Sequence, residues 1–233
     1  MSVCKKNILC IVAHPDDEAL GVGGTLIKHV NQGDNVNIVI MSLGEDSKSN
    51  IKKNKFRKNN ATEWSNLVGC KLHSLLKLPD QQFDIIPKLE IIKKIEIILN
   101  KIKPSIVYIH HSGDINHDHQ IISHAVLTAM RPMGKYNFEA EIRSFETPSS
   151  TEQSPNIEQY IFRPNFYVNI EEEWKKKLLA LNVYKHELGN HPHPRSIKSI
   201  EALAIKRGSE SGYKKAEAFQ IIRKFWNKED KDQ

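Results

Sequence analysis

The stretch Leu9-Cys10-Ile11-Val12-Ala13-His14-Pro15-Asp16-Asp17-Glu18 runs an apolar segment straight into an imidazole and a row of carboxyls. A buried strand delivers its last residue to a fixed point on a sheet edge. In open α/β sheets the carboxyl ends of the strands are where ligands bind. His14, Asp16 and Asp17 put an imidazole and a pair of carboxylates side by side, enough to begin a metal site and leave one carboxylate for acid–base work. Helix-start chemistry explains part of the run, since Pro15 suits a first helical position and acids complement the helix dipole. It does not explain a histidine at the strand exit. Nor does it explain Gly21-Val22-Gly23-Gly24 in the opening turns, where glycine weakens a helix and suits close approach by other backbone or a ligand.

Residues 105–119 repeat the arrangement. Pro104 precedes a β-branched run, Ser105-Ile106-Val107-Tyr108-Ile109, that reads as a strand. It feeds His110-His111-Ser112-Gly113-Asp114-Ile115-Asn116-His117-Asp118-His119, and a helical pattern follows through Ile121, Ile122, Ala125, Val126, Ala129 and Met130. Asn116 or Asp118 would serve as a helix cap. Capping alone does not call for so many histidines. Two strand ends carrying metal-type residues converge if the strands are neighbours in one sheet.

Strands are expected at 7–13, 36–42, 71–76 and 105–110, and helices at 17–32, 54–68, 86–102 and 119–130. This alternation implies right-handed crossovers and a parallel sheet. Beyond Arg131-Pro132-Met133-Gly134 the texture is less regular. Strands are expected at Ile142–Glu146, Tyr160–Phe162 and Phe166–Asn169, helices at 171–186, 197–207 and 213–219, and a loop at 147–158 that could serve as a lid. The expected architecture is α/β: a Rossmann-like three-layer sandwich with a mostly parallel sheet and a smaller irregular C-terminal part. It forms a single domain over 1–233, with a core at 1–132 and substrate-side strands, loops and helices at 133–233.

With these motifs in view, the chain resembles the LmbE/PIG-L family of zinc-dependent N-deacetylases. Ala13-His14-Pro15-Asp16-Asp17-Glu18 is the most specific match, and Gly113–His119 resembles the second family motif. Glu146–Glu152, His191-Pro192-His193-Pro194-Arg195-Ser196, Arg207-Gly208 and Ala216-Glu217-Ala218-Phe219 are similar to weaker, later landmarks. The resemblance implies a hydrolase that removes an acetyl group from an N-acetylated amino sugar, nucleotide sugar or glycoconjugate, with one Zn2+ per chain. It implies His14, Asp17 and His119 as metal ligands, Asp16 as general base and Asp118 as the residue orienting an imidazole. It also implies substrate contacts at Arg57 and Asp80, and homo-oligomers occur in this family. One departure stands out. Many members carry a histidine three residues before the third ligand, where this chain has Asn116, which can donate a hydrogen bond but cannot shuttle a proton. The general acid is then open between a protonated Asp16 and His193. Arg195 is a candidate for an anionic part of the substrate.

Composition sets the remaining bounds. The chain has 233 residues, a formal charge of +6 and 39% hydrophobic residues, sufficient for one α/β core. The positive excess sits largely in Lys48–Lys58 and Lys224–Lys231, without the aromatic interleaving of a nucleic-acid surface, so no nucleic-acid partner is expected. Cys4, Cys10 and Cys70 have no paired spacing, which fits a reducing compartment, and the apolar run before His14 is too short for a signal peptide. A cytoplasmic location with no membrane span is expected. Two other readings compete: a non-catalytic sugar- or nucleotide-binding α/β module with a vestigial metal site, and a metal-dependent phosphoesterase, which wants adjacent metals and more carboxylates.

Overall fold

The computed structural model describes residues 5–43, 51–132 and 139–226, the side chains of 51–58 excepted. Cys4 and parts of both lysine-rich stretches lie outside the described residues. The central strand β1 (Asn7–Val12) pairs in parallel with β2 (Asn35–Ser42) on one side and β4 (Ile106–His110) on the other. With β3 (Lys71–Leu78), β5 (Glu141–Phe145), β6 (Phe166–Asn169) and β7 (Ala216–Arg223), the sheet runs β3-β2-β1-β4-β5-β7-β6. The β3-to-β5 part is parallel; β7 runs antiparallel to both β5 and β6. Strands from 1–132 and from 133–233 thus share one sheet.

Alternate residues of β1 face opposite cores. Ile8, Cys10 and Val12 join Trp64, Tyr108, Phe145 and Phe219 on one face. Leu9 and Ile11 join Phe83, Ile91, Ile95 and Val107 on the other. All of the β1 residues Ile8–Val12 are fully buried, which makes the strand a near-continuous apolar run, as expected of a parallel strand covered on both sides. Each such side chain contributes ~1.5–3 kcal/mol by leaving water. The helices on these faces are α1 (Asp17–Gly21), α2 (Gly23–Asn31), α3 (Ile51–Val68), α4 (Lys88–Ile102), α5 (His117–Ala129), α6 (Trp174–Leu181) and α7 (Ile197–Ser211). Among the described residues, no helix is long and apolar enough to cross a membrane.

Several expected elements differ, for local reasons. The helix expected over 17–32 breaks at Val22 into α1 and α2. A Cβ on Gly21 would lie 2.3 Å from the Phe145 ring, and one on Gly24 2.9 Å from Ile170, so the glycines admit close packing. The helix expected over 171–186 is confined to Trp174–Leu181, with a 3-10 turn at Asn182–Tyr184. Residues 160–162 pair with no strand. They cross over the loop after β4, where the His111 ring reaches the Tyr160 carbonyl oxygen at 3.0 Å. Residues 213–219 mostly form strand, not helix. Gly212, at φ 78°, ends α7, and the segment that follows, with Ala216 and Ala218, fills the gap between β5 and β6. There tertiary pairing overrides the helix propensity of alanine.

Strand β7 also fastens the first motif. The break at Val22 frees the backbone N–H groups at the start of α2. The Glu217 carboxylate accepts from Gly24 N–H at 2.8 Å, Thr25 N–H at 2.7 Å and Thr25 Oγ1 at 2.6 Å. Lys177 Nζ, also buried, lies 2.7 Å from Glu217 Oε1. Removing one partner of such a buried pair costs ~3–5 kcal/mol. Glu217→Ala is therefore expected to lower unfolding free energy by about that much, with Glu217→Gln losing less. Urea denaturation checks this, and a loss within measurement error for Glu217→Ala would contradict it.

Candidate active site

The chain order β1-β2-β3 leads outward on one side of β1, and β4-β5 on the other, so β1 and β4 flank the point where the order reverses. His14 leaves β1 there, and His110 ends β4. Asp16 turns the chain into α1 with φ 114°, a conformation that costs a non-glycine residue on the order of 1–3 kcal/mol and clusters at functional sites. The turn is held from within. Asp17 Oδ2 accepts from His14 N–H at 2.9 Å, and Glu18 Oε2 accepts from Asp16 N–H at 3.1 Å. Tyr184 Oη donates to the other oxygen of Glu18, which is fully buried.

His14, Asp17 and His119 each bring a ligand-type atom within 4.8 Å of the others, and all are buried. Asp17 Oδ1 and His119 Nε2 are buried without a hydrogen bond. An unsatisfied imidazole nitrogen beside an unsatisfied carboxylate oxygen in a dry site is what a cation-binding trio offers, and buried polar atoms rarely stay unpaired otherwise. A second trio, His14, Asp80 and Asp118, shares His14. Asp118 is already committed: Oδ1 accepts from Phe83 N–H, and Oδ2 accepts from Gln81 N–H and the His14 ring. Asp118 Oδ2 and Asp80 Oδ1 each lie 3.0 Å from His14 Nε2. Carboxylates place the His14 proton on Nε2, leaving the Nδ1 lone pair for the first trio.

The other imidazoles are held in the same manner. Asp114 Oδ2 lies 3.3 Å from His119 Nδ1, an ion-pair distance without hydrogen-bond alignment, which leaves Nε2 on the Asp17 side at 3.3 Å from Asp17 Oδ2. Asp114 itself accepts from the hydroxyls of Ser150 and Thr151. His110 stacks on His119 with ring centroids 3.8 Å apart, accepts from Ala13 N–H on Nε2, and turns Nδ1 to Thr147 Oγ1. With Nε2 an acceptor, His110 is neutral. Burial and the adjacent His119 push its pKa down to about 3.

Burial alone would lower the pKa values of the two histidines of the trio, but the carboxylates outweigh it. Asp118, Asp17 and Asp80 hold His14 well above the ordinary imidazole range, and Asp17 and Asp114 raise His119 to about 9. Burial opposes ionisation of Asp17 as well, yet the charge of His119 and the close approach of the His119 and His14 rings hold its carboxyl well below the usual range. Burial raises Glu18 to about 8 against the pull of the Tyr184 hydrogen bond. The trio is therefore strongly cation-accepting: protons occupy it until something displaces them.

The remaining sequence candidates fall into place as follows. Asp118 sits behind His14, its Oδ2 3.0 Å from His14 Nε2. Asp80 is buried against His14 rather than projecting into open space. Asn116 is the N-cap of α5, its Oδ1 accepting from Asp118 N–H and His119 N–H. Arg57 belongs to α3, but its side chain lies outside the described residues. His193 is exposed and its Nδ1 accepts from Arg195 N–H at 3.0 Å. Arg195 donates through Nη1 to Asp16 Oδ2 at 2.7 Å, so its partner is a site carboxylate of the chain itself. The loop at 147–158 is pinned at its start by Thr147, Ser150 and Thr151, all buried, and forms a wall instead of a lid there. His110, Asp114, Glu18 and Tyr184 also belong to the cluster, although none is a candidate from the sequence motifs. His110 and Asp114 flank the second motif, and the Ser/Thr-rich loop that binds them was the available signal. Nothing local in the sequence ties Tyr184 to Glu18.

Comparison with known proteins follows the same lines. A family model described as GlcNAc-PI de-N-acetylase matches residues 9–130. The uncharacterised deacetylase YaiS of Escherichia coli K12 is 29% identical over 191 residues, covering 78% of this chain and 91% of YaiS. The probable N-acetyl-alpha-D-glucosaminyl L-malate deacetylase 2 of Bacillus cereus is 26% identical over 217 residues, covering 87% of this chain and 94% of that one. The solved structure of N,N'-diacetylchitobiose deacetylase from Pyrococcus horikoshii superposes with a TM-score of 0.76 at 22% identity, over 94% of this chain and 84% of that one, a likeness of fold.

A pH dependence follows for the metal-free protein. His119 titrates at about 9 in the fold and near ~6.5 in an unfolded chain. Its proton stabilises the fold in full below pH ~6.5, and that stabilisation is lost as pH rises toward the folded value. His14, also raised, adds a loss of the same sign, as does the raised Glu18. Chelator-treated protein should melt at a lower temperature at pH 9 than at pH ~6.5. Metal should shrink that difference, because it replaces the protons. Calorimetry showing a flat or rising Tm over this window in the chelated protein would contradict the assignment.

Proposed function

The chain belongs to the GlcNAc-PI de-N-acetylase (PIG-L) family, and on that premise we propose that it is a zinc-dependent N-deacetylase that releases acetate from an N-acetylated amino sugar, nucleotide sugar or glycoconjugate. The observation that carries this reading is the pairing of a buried trio, His14, Asp17 and His119, with a further carboxylate, Asp16, on the adjacent residue of the same turn. Two imidazoles and a carboxylate suit zinc and leave room in its coordination for other ligands. The ion, when bound, supplies Lewis acidity to the amide carbonyl and to the attacking water.

The chain's own residues do the rest. Asp16 takes a proton from the water as its oxygen attacks the amide carbon. Cleavage of the C–N bond then needs a proton on the departing nitrogen. Protonated Asp16, next to Asp17 in the chain, returns it; His193 is exposed on the loop that follows α6. Asp118 and Asp114 keep His14 and His119 in the tautomers that present one lone pair each. Asn116 sets the start of α5 and so the direction of His119. The α/β binding-module alternative leaves the cost of the strained Asp16 turn without a return.

Acetate release from N-acetylglucosamine, N,N'-diacetylchitobiose and UDP-N-acetylglucosamine tests the reading. Asp16→Asn should keep its metal and lose activity by ~10²–10⁴, the usual worth of acid–base catalysis. A metal-replete Asp16→Asn protein with near-normal kcat would rule the base out.

A further inference from the structure

Asp16 has a fixed partner that neither sequence motif supplies. The Arg195 guanidinium donates through Nη1 to Asp16 Oδ2 at 2.7 Å and through Nε to Ser149 Oγ at 2.6 Å. Asp16 is nearly buried, and Arg195 is partly buried with its own loop folded beneath it: its N–H donates to His193 Nδ1, and the next residue, Ser196, caps α7. Ser149 is equally constrained. It sits at φ 69°, with its N–H donating to Glu152 Oε1.

The loop that carries Ser149 also sets the metal-side imidazoles. Thr147 faces His110, while Ser150 and Thr151 donate to Asp114, which lies against His119. One short segment therefore fixes His119 through Asp114 and reaches Asp16 through Arg195. An aspartate beside a metal trio has two rotameric options. It can face the water that it must deprotonate, or swing toward the ion and become a further ligand. A planar guanidinium with two directional donors enforces the first option, which a point charge on a flexible stem does only loosely.

We propose that Arg195, steadied by Ser149, is a positioning residue that holds the Asp16 carboxylate away from the metal and in line for proton transfer. This rests on the reading of Asp16 as the base. It also reassigns Arg195 from substrate contact to an internal role.

The test is a double-mutant cycle on metal-loaded full-length protein, using whichever of the three N-acetylated sugars above wild type turns over fastest. Arg195→Ala should lower kcat by ~10–100-fold, the scale of a small misplacement of a reacting group, with KM and melting temperature little changed. Arg195→Lys should recover part of the loss, and Ser149→Ala should show a smaller loss of the same kind. In the Asp16→Asn background, Arg195→Ala should cost almost nothing further. Cobalt(II)-loaded protein gives a readout apart from turnover. The visible absorption of Arg195→Ala should weaken as Asp16 joins the ion, and return in the Asp16→Asn/Arg195→Ala double variant. An Arg195 effect that is fully additive with Asp16→Asn, or confined to KM, overturns the inference while leaving the base in place. An Asp16→Asn protein with normal kcat overturns the base, and this inference with it.

Discussion

The site depends on β1 and β4 lying side by side in parallel. Their pairing, Ile8 with Ile106 through Cys10 with Tyr108, fixes how far apart the two strand exits stand. His14 comes directly off one exit, and α5 carries His119 back over the other. The chain's order reverses across this pair, so no crossover covers the gap between the exits. Burial on both faces of β1 makes a register slip costly, because a shift by one residue would exchange the two cores. The rigidity of the apolar sheet is thereby passed to a polar cluster that could not organise itself.

Within that frame, positive and negative groups are interleaved with little left over. Asp118 and Asp80 stand behind His14, Asp114 behind His119, and Thr147 beside His110. Each of these groups faces the imidazole nitrogen turned away from Asp17. The outcome is a set of inward-facing lone pairs in a dry place, a poor arrangement for a protein alone and a good one for a cation. Asn116 illustrates how a departure from a family pattern is absorbed. Its side-chain oxygen is spent on the N–H groups of Asp118 and His119, so it contributes to the direction of His119 and not to proton transfer.

The sequence was readable where chemistry and periodicity coincide. Apolar runs ending in His14 and His110 announce strands whose exits carry function, and the parallel half of the sheet follows from strand–helix alternation. The C-terminal part was less legible. Strand β7 opens Ala-Glu-Ala-Phe and is buried on both faces at its start, so it lacks the alternation that marks a strand, and its role depends on Gly24 and Thr25, far away in the chain. The inner contacts of the site were hidden for the same reason. Arg195 with Asp16, Tyr184 with Glu18, and Ser150 with Asp114 are long-range pairs, each joining a motif residue to one that looks like an ordinary surface or loop residue until the sheet brings them together.

On the proposed reading, His14, Asp17 and His119 hold the metal, with His14 engaged through Nδ1 and its Nε2 turned to Asp118. Anomalous diffraction at the zinc edge from zinc-loaded crystals tests it directly. A single strong peak is expected within bonding distance, ~2.0–2.2 Å, of His14 Nδ1, the Asp17 carboxylate and His119 Nε2. A peak on the other side of the ring, bonded to His14 Nε2 with Asp80 and Asp118, would contradict it.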